Sequence, residues 1–294
     1  MKLMIAAIHN QEDDRIDGLR ATCLELKNKL TTDGIDVDIK EFYKQTDWNQ
    51  FRLTLIQWYL LRINFLFNVA QWEKYLLKQN SIISYLRHLF SAFSIPTREL
   101  ISAGLNKQTR KKLLHEKFKE LALWRKHQLA RIEALQSNVD ALLVLESDAR
   151  LSEHGRSSSH LESLVRTISS SQRLFYVQVG QGYPLDQDMA GLAMTLIEDQ
   201  ENHRSVCFNR PSTNTTSAYL VNTSFLDKIS EFETLRLRRS LFFPVPLAAD
   251  WYINSFFLWL HRTKASQVKA LHPVLPIFSH GSLNGELAST FSFH

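Results

Sequence analysis

Residues 141–145 read Ala-Leu-Leu-Val-Leu, and this run limits the fold more than any other stretch. It has no polar residue at either phase of a two-residue period. As a strand it must therefore be covered on both faces, which places it inside a parallel α/β sheet between helical layers. Asn138-Val139-Asp140 turns the chain into it, and Glu146-Ser147-Asp148 ends it. Open α/β sheets bind ligands outside the carboxyl ends of their strands, and these two carboxylates fall there. The competing reading is a solvated turn or a helix cap.

The flanking patterns agree with an α/β chain. Residues 2–10 form a β-rich run ending in polar residues. Leu19, Cys23, Leu26 and Leu30 then recur at helical spacing until Asp33-Gly34, and residues 35–43 alternate as a strand. This predicts β-α-β at the start. Residues 47–105 differ, being rich in aromatics and apolar side chains. They predict two or three helices, broken at Ile95-Pro96, inserted between a 1–46 segment and a 106–294 segment that together make the main domain. The insertion reads as a helical subdomain packed on itself, or as an acceptor-binding or membrane-docking element. Arg52, Arg62, Lys74, Lys78 and Arg87 interleave there with Trp58, Tyr59, Trp72 and Tyr75, which suits an interfacial helix and equally an ordinary amphipathic one.

A long basic helix follows, with Leu114, Phe118, Leu121, Leu129 and Ile132 on its apolar face and Lys107, Arg110, Lys111 and Lys112 at its start. The helix dipole favours acids at that end, so the cluster is either a solvated face or a phosphate or headgroup patch. Residues 173–180 predict a strand, 216–230 a strand then a helix, and 246–263 a loop entering a helix. The segment after His272 reads as irregular, punctuated by Pro and Gly.

The net charge of +5 and isoelectric point near 9.1 allow anionic partners without selecting one. Cys23 and Cys207 suit a reducing compartment and lack metal-ligand spacing. No apolar stretch approaches the ~20 residues that span a bilayer, and the N-terminal run is short for a signal peptide. A cytoplasmic location is expected, with or without attachment to the inner face of a membrane. The sequons at Asn214 and Asn222 are then chance matches. No recognised nucleic-acid motif appears, so nucleic acid is not an expected partner.

A hard divalent cation takes oxygen ligands. Mg²⁺ commonly binds one or two carboxylates plus substrate phosphate oxygens, and Mn²⁺ also accepts imidazole. Acid-small-acid after a strand thus suits a metal-bound nucleotide diphosphate. The order of elements adds to this: β-α-β, insertion, basic helix with Leu123-Trp124, apolar strand, Glu146-x-Asp148, "TSAYLV" at 216–221, "PLAAD" at 246–250 and "HGSLNG" at 280–285. The chain resembles a GT-A nucleotide-sugar glycosyltransferase, and most of all the glycosyltransferase family 25 group, which includes lipooligosaccharide and capsule enzymes. The likeness covers roughly residues 113–290 plus the first β-α-β. It departs from the family at Ser147, where the middle residue of the motif is commonly acidic. It also departs before the Leu-Trp pair, where His115, Glu116, Lys119 and Glu120 replace the usual G-C-x-x-S-H.

The resemblance implies a GT-A, Rossmann-like, mostly parallel sheet flanked by helices. It also implies transfer of a sugar from a nucleotide-sugar donor to a saccharide or glycolipid acceptor, with Mn²⁺ or Mg²⁺ as cofactor. Asp148 and His280 are the expected metal ligands. Glu146, Ser147, Gly281 and Ser282 are expected around the donor, with Gly281 letting backbone approach phosphate. Ala7, His9, Asn10 and Arg15 are expected near the nucleotide, because the first strand ends at the same crevice. Asp250 is expected at the acceptor hydroxyl, as general base in an inverting enzyme or as an orienting group in a retaining one; its alternative is a helix N-cap. Two other functions compete: an anionic-membrane or nucleic-acid binding protein on a degenerate core, supported by the isoelectric point, the basic helix and the aromatic-basic insertion, and metal-dependent phosphoryl transfer using the same carboxylates.

Overall fold

The computed structural model describes residues 1–10, 15–43, 54–77, 82–181, 194–199, 201–208, 210–211, 213, 217–239, 249–264 and 267–280. The chain opens as expected with β1 (Lys2–Ile8), α1 (Ile16–Thr32) and β2 (Asp36–Phe42). Three long helices follow, α2 (Leu55–Leu77), α3 (Ile82–Leu105) and α4 (Lys107–Gln136). The apolar run becomes β3 (Ala141–Glu146) and is followed by β4 (Ala149–Leu151), α5 (Glu153–Ser157), α6 (His160–Ser169) and β5 (Leu174–Val177). The rest comprises β6 (Met194–Glu198), β7 (Arg204–Phe208), β8 (Ala218–Asn222), α7 (Thr223–Arg239), α8 (Ala249–Thr263), β9 (Val268–Pro273) and β10 (Phe278–His280).

Eight strands form one sheet in the order β2-β1-β3-β8-β5-β9-β7-β6. Six share a direction, while β8 and β7 run against them. Because the two reversed strands sit between others, the neighbour pairings are mixed, and the expected mostly parallel sheet holds for strand direction only. The segment read as irregular contributes the end of β9 and all of β10 to this architecture. Pro273 closes β9 and Pro276 precedes β10, and both strands form by tertiary pairing with β5, β7 and β4.

The two faces of β1 and β3 explain why their sequences are apolar throughout. Leu3, Ile5, Ala7, Leu143 and Leu145 pack with Leu19, Cys23, Leu26 and Leu30 of α1 and with Leu161, Val165 and Ile168 of α6. Met4, Ala6, Ile8, Leu142 and Val144 pack instead with α4, α7 and α8, against Ala130, Phe225, Phe256 and Phe257. Each strand is thus buried on both sides, the condition a continuous apolar run requires. Asn222 at the end of β8 is 1% exposed, and its side-chain amide donates to the carbonyls of Ile168, Ser171 and Arg173. The sequon there is structural.

Two helix expectations need correction. The break at Ile95-Pro96 does not occur, since α3 continues through Pro96 to Leu105. Pro96 is buried, and the Tyr59–Thr97 and Arg62–Glu99 contacts hold α3 to α2 just beyond the interruption. Tertiary packing overrides the lost backbone bond. In α4 the buried residues are Lys117, Leu121, Lys126, His127, Gln128, Ala130, Arg131 and Ala134, while Leu114, Phe118, Leu129 and Ile132 are only half-buried. This helix carries Lys117, Lys126 and Arg131 inward, while Lys107, Arg110, Lys111 and Lys112 at its start are exposed.

Candidate functional site at the carboxyl edge of the sheet

The strand order places β2 and β3 on opposite sides of β1, so the chain leaves β1 in one direction and returns on the other side. The crevice between the carboxyl ends of β1 and β3 is the topological switch point, where doubly wound sheets bind ligands. Ile8 pairs with Glu146 in register. Ala7, beside Leu145, is buried under this edge.

Glu146 is held by a chain of buried groups. His127 on α4 sits 3.1 Å through Nε2 from Glu146 Oε1, and 3.1 Å through Nδ1 from the Tyr219 hydroxyl. Burial lowers the pKa of His127, against the raising effect of Glu146, so the ring is neutral. A carboxylate only accepts, so Nε2–H donates to Glu146 and the Tyr219 O–H donates to Nδ1. Burial raises Tyr219 to about 12, which keeps that hydroxyl protonated. The relay Tyr219–His127–Glu146 fixes the carboxylate's orientation at the strand end.

Lys126, the neighbouring residue on α4, is 4% exposed and donates to the His9 carbonyl and to Asn10 Oδ1, both at 2.7 Å. His9 is itself buried, with Nε2 3.3 Å from Glu41 and its ring stacked on Tyr43 at 5.4 Å. Both His9 side-chain nitrogens are therefore engaged within the protein, Nδ1 lying 3.0 Å from the Asn10 carbonyl. The His9 ring thus has partners within the protein, and Lys126 holds the end of β1 in place. Arg131, one turn beyond His127, forms a buried pair with Glu233 of α7 at 2.6 Å. None of Lys126, His127 or Arg131 was singled out in the sequence. The signal was present as charges at i and i+4 or i+5 on a helix whose other face is only weakly apolar.

The turn after β3 brings two distant residues together. β4 pairs antiparallel with β10, His280 opposite Ala149, and this two-stranded ribbon sets His280 Nδ1 3.3 Å from Asp148 Oδ2. The two residues expected as metal ligands, 132 positions apart in the sequence, thus lie side by side. An oxygen and an imidazole nitrogen at this spacing fit Mn²⁺ and tolerate Mg²⁺, with further ligands from phosphate and water. Among the described residues no group of three or more His, Cys, Asp or Glu is arranged to hold a metal by itself. Arg150 closes the turn, donating to the carbonyls of Ser147 at 2.8 Å and Ala149 at 2.9 Å, and reaching the Arg15 carbonyl at 3.4 Å. Its guanidinium lies over Gly18, where an added Cβ would stand 2.8 Å from it. Ser147 and Arg15 thus enter the site through their backbone, joined by Arg150. Gly281 and Ser282 lie outside the described residues.

No protein-family model matches the chain, and no curated protein matches it significantly.

Asp250 lies within electrostatic reach of Glu146. It lies in the first turn of α8, and its Oδ1 accepts the Trp251 N–H at 2.8 Å. It is inside the helix, so the N-cap alternative does not describe it. Burial pushes Asp250 up to about 6, and the charges of Glu146 and Glu120 raise it further against the opposing backbone hydrogen bonds. A carboxylate that senses Glu146 and titrates near neutrality can accept a proton from a hydroxyl and release it again. The site thus offers a fixed carboxylate, an oxygen–nitrogen pair suited to a hard cation, and a carboxyl group of raised basicity.

Proposed function

We propose that the chain is a glycosyltransferase of GT-A type, moving a sugar from a nucleotide-sugar to a saccharide or glycolipid acceptor in cell-surface polysaccharide synthesis. The observation that carries the reading is the meeting of Asp148 and His280 beside Glu146 at the switch point. The mixed eight-stranded sheet with one reversed strand beside β3 is compatible with that fold, and the Leu123-Trp124 and Glu146-x-Asp148 pattern supports the likeness to glycosyltransferase family 25.

Asp148 and His280 would hold Mn²⁺ or Mg²⁺, which supplies positive charge to the leaving nucleotide diphosphate. Glu146, locked by His127, faces the ribose or a metal-bound water. The Ser147 backbone, Arg150 and the start of α1 line the donor's approach, with helix N–H groups suited to phosphate. Asp250 binds the acceptor hydroxyl and, in an inverting reaction, takes its proton as the new glycosidic bond forms.

The test is a thermal-shift screen of nucleotide-sugars with and without Mn²⁺, followed by hydrolysis assays on any that bind. Stabilisation by a nucleotide-sugar that depends on Mn²⁺ and disappears in Asp148→Ala is the expected result. Unchanged binding in Asp148→Ala would remove the assigned role. Hydrolysis of plain nucleoside triphosphates with inert nucleotide-sugars would make the site a phosphoryl-transfer centre instead.

A further inference from the structure

Of the residues that suggested an interfacial element in the sequence, the aromatic ones are buried or half-buried, Lys74 and Arg87 are exposed, and Arg52 and Lys78 lie outside the described residues. Trp58 and Tyr75 are buried, Tyr59 bonds Thr97, and Arg62 pairs with Glu99. A different set faces outward. On α3, Leu86, Phe90, Phe93, Ile101 and Leu105 expose between 53% and 86% of their area. At 100° per residue these five fall within an arc of about 120° along a helix of roughly 36 Å. Ala92, Pro96 and Ala103, the buried residues among the described side chains of α3, occupy a separate arc of about 40°. The buried residues thus face the protein on one narrow side, while a largely apolar side faces out, interrupted at Thr97, which bonds Tyr59 of α2. On α2, Ile56, Leu60 and Phe67 are also exposed and lie within about 40° of one another.

The charges around this stripe are mainly cationic, and the acid Glu116 pairs with Lys112 at 4.0 Å. Arg87 and Arg98 are exposed at its border, about 100–120° from Leu86 around the helix. Beyond Leu105, the exposed Lys107, Arg110, Lys111 and Lys112 begin α4. From Lys74 to His115 the sequence holds eight Lys or Arg and one acid, Glu99, and that acid is paired with Arg62 at 3.1 Å. A second copy docked on this face would bring two cationic rims together, so self-association is disfavoured. Nucleic acid would satisfy the cations and leave the apolar stripe in water. Among the described residues no helix is long and apolar enough to cross a membrane, so α3 is suited to lie on a bilayer rather than through it.

We propose that the outer face of α3 docks on an anionic phospholipid bilayer. The helix lies in the headgroup plane, with Leu86, Phe90, Phe93, Ile101 and Leu105 in the acyl boundary and Arg87, Arg98 and the start of α4 on the phosphates. The inference is separate from the transferase reading, because vesicle binding is measured without nucleotide or acceptor, and failure of either leaves the other standing.

The experiment is flotation of the full chain with vesicles of phosphatidylcholine alone and of phosphatidylcholine with phosphatidylglycerol, at low and high salt. Binding only to the anionic vesicles, weakened by salt, is expected. Phe90→Ser with Phe93→Ser should weaken it by at least about tenfold with an unchanged melting temperature, since both rings are exposed. Ile101→Ser with Leu105→Ser is the second variant, and Lys111→Glu with Lys112→Glu should weaken binding as well. The proposal is overturned by binding to neither vesicle, by equal binding to both, or by either apolar variant binding as tightly as the parent. It is also overturned if the apolar variants dissolve a dimer seen by sedimentation while vesicle binding persists.

Discussion

Replacing Asp250 by Asn should stabilise the protein near neutral pH and leave its acid-side stability unchanged. Burial raises this carboxyl from its ordinary 3.8 to about 6, so the folded state holds the proton more tightly than the unfolded chain. Below 3.8 the group is protonated in both states and costs nothing. Between 3.8 and 6 the unfolded chain ionises first, and stability falls as pH rises; above 6 the cost is fully present. At about 1.4 kcal/mol per tenfold change the full difference is about 3 kcal/mol. Partial solvent access to the side chain reduces this to roughly 1–2 kcal/mol. Asn keeps the Oδ1 that accepts from Trp251 and removes the charge. For a chain of this length the gain corresponds to about 2–3 °C in Tm. The assay is paired urea denaturation of parent and variant at about pH 4 and about pH 7.5. A variant no more stable than the parent at the higher pH would refute the reasoning, and so would an equal gain at both. If Asp250 also takes the acceptor proton, the stabler variant should lose about 10²–10⁴-fold in transfer rate.

Glu233→Ala should cost about 3–5 kcal/mol in chemical denaturation, because Arg131 is left charged and buried; Arg131→Met with Glu233→Leu should recover most of it. Gly155→Ala would place a Cβ 2.2 Å from the Ile277 carbonyl, just before β10, so it should lower stability by roughly 1–3 kcal/mol. It should also weaken any Mn²⁺-dependent thermal shift by loosening His280 from Asp148. His154, His160 and His203 cluster against Asp199, with the His160 and His203 rings stacked at 4.5 Å, and burial pushes His160 down to about 4. The folded state resists protonation, so this stability is present above about pH 6.5 and is lost as pH falls towards 4, amounting to roughly 2–3 kcal/mol. His160→Leu should flatten that part of the stability-versus-pH curve.

The amino-acid order alone determined the β-α-β start, the doubly covered β3 and the carboxylates at its end. Each depends on local periodicity, and a run such as Ala141–Leu145 has few other stable environments. Lys126 and His127 were illegible because a charge on a helix reads as solvated unless its partner is known. Their partners, Glu146 and Tyr219 in strands and His9 and Asn10 just past the end of β1, meet α4 only in the folded sheet. The α3 helix passed unbroken through Pro96 for a similar reason, since packing against α2 outweighs one missing backbone bond. Asp148 and His280 could each be named from the sequence by resemblance. Only the β4–β10 ribbon put them 3.3 Å apart, because antiparallel pairing between distant three-residue strands leaves almost no local signature.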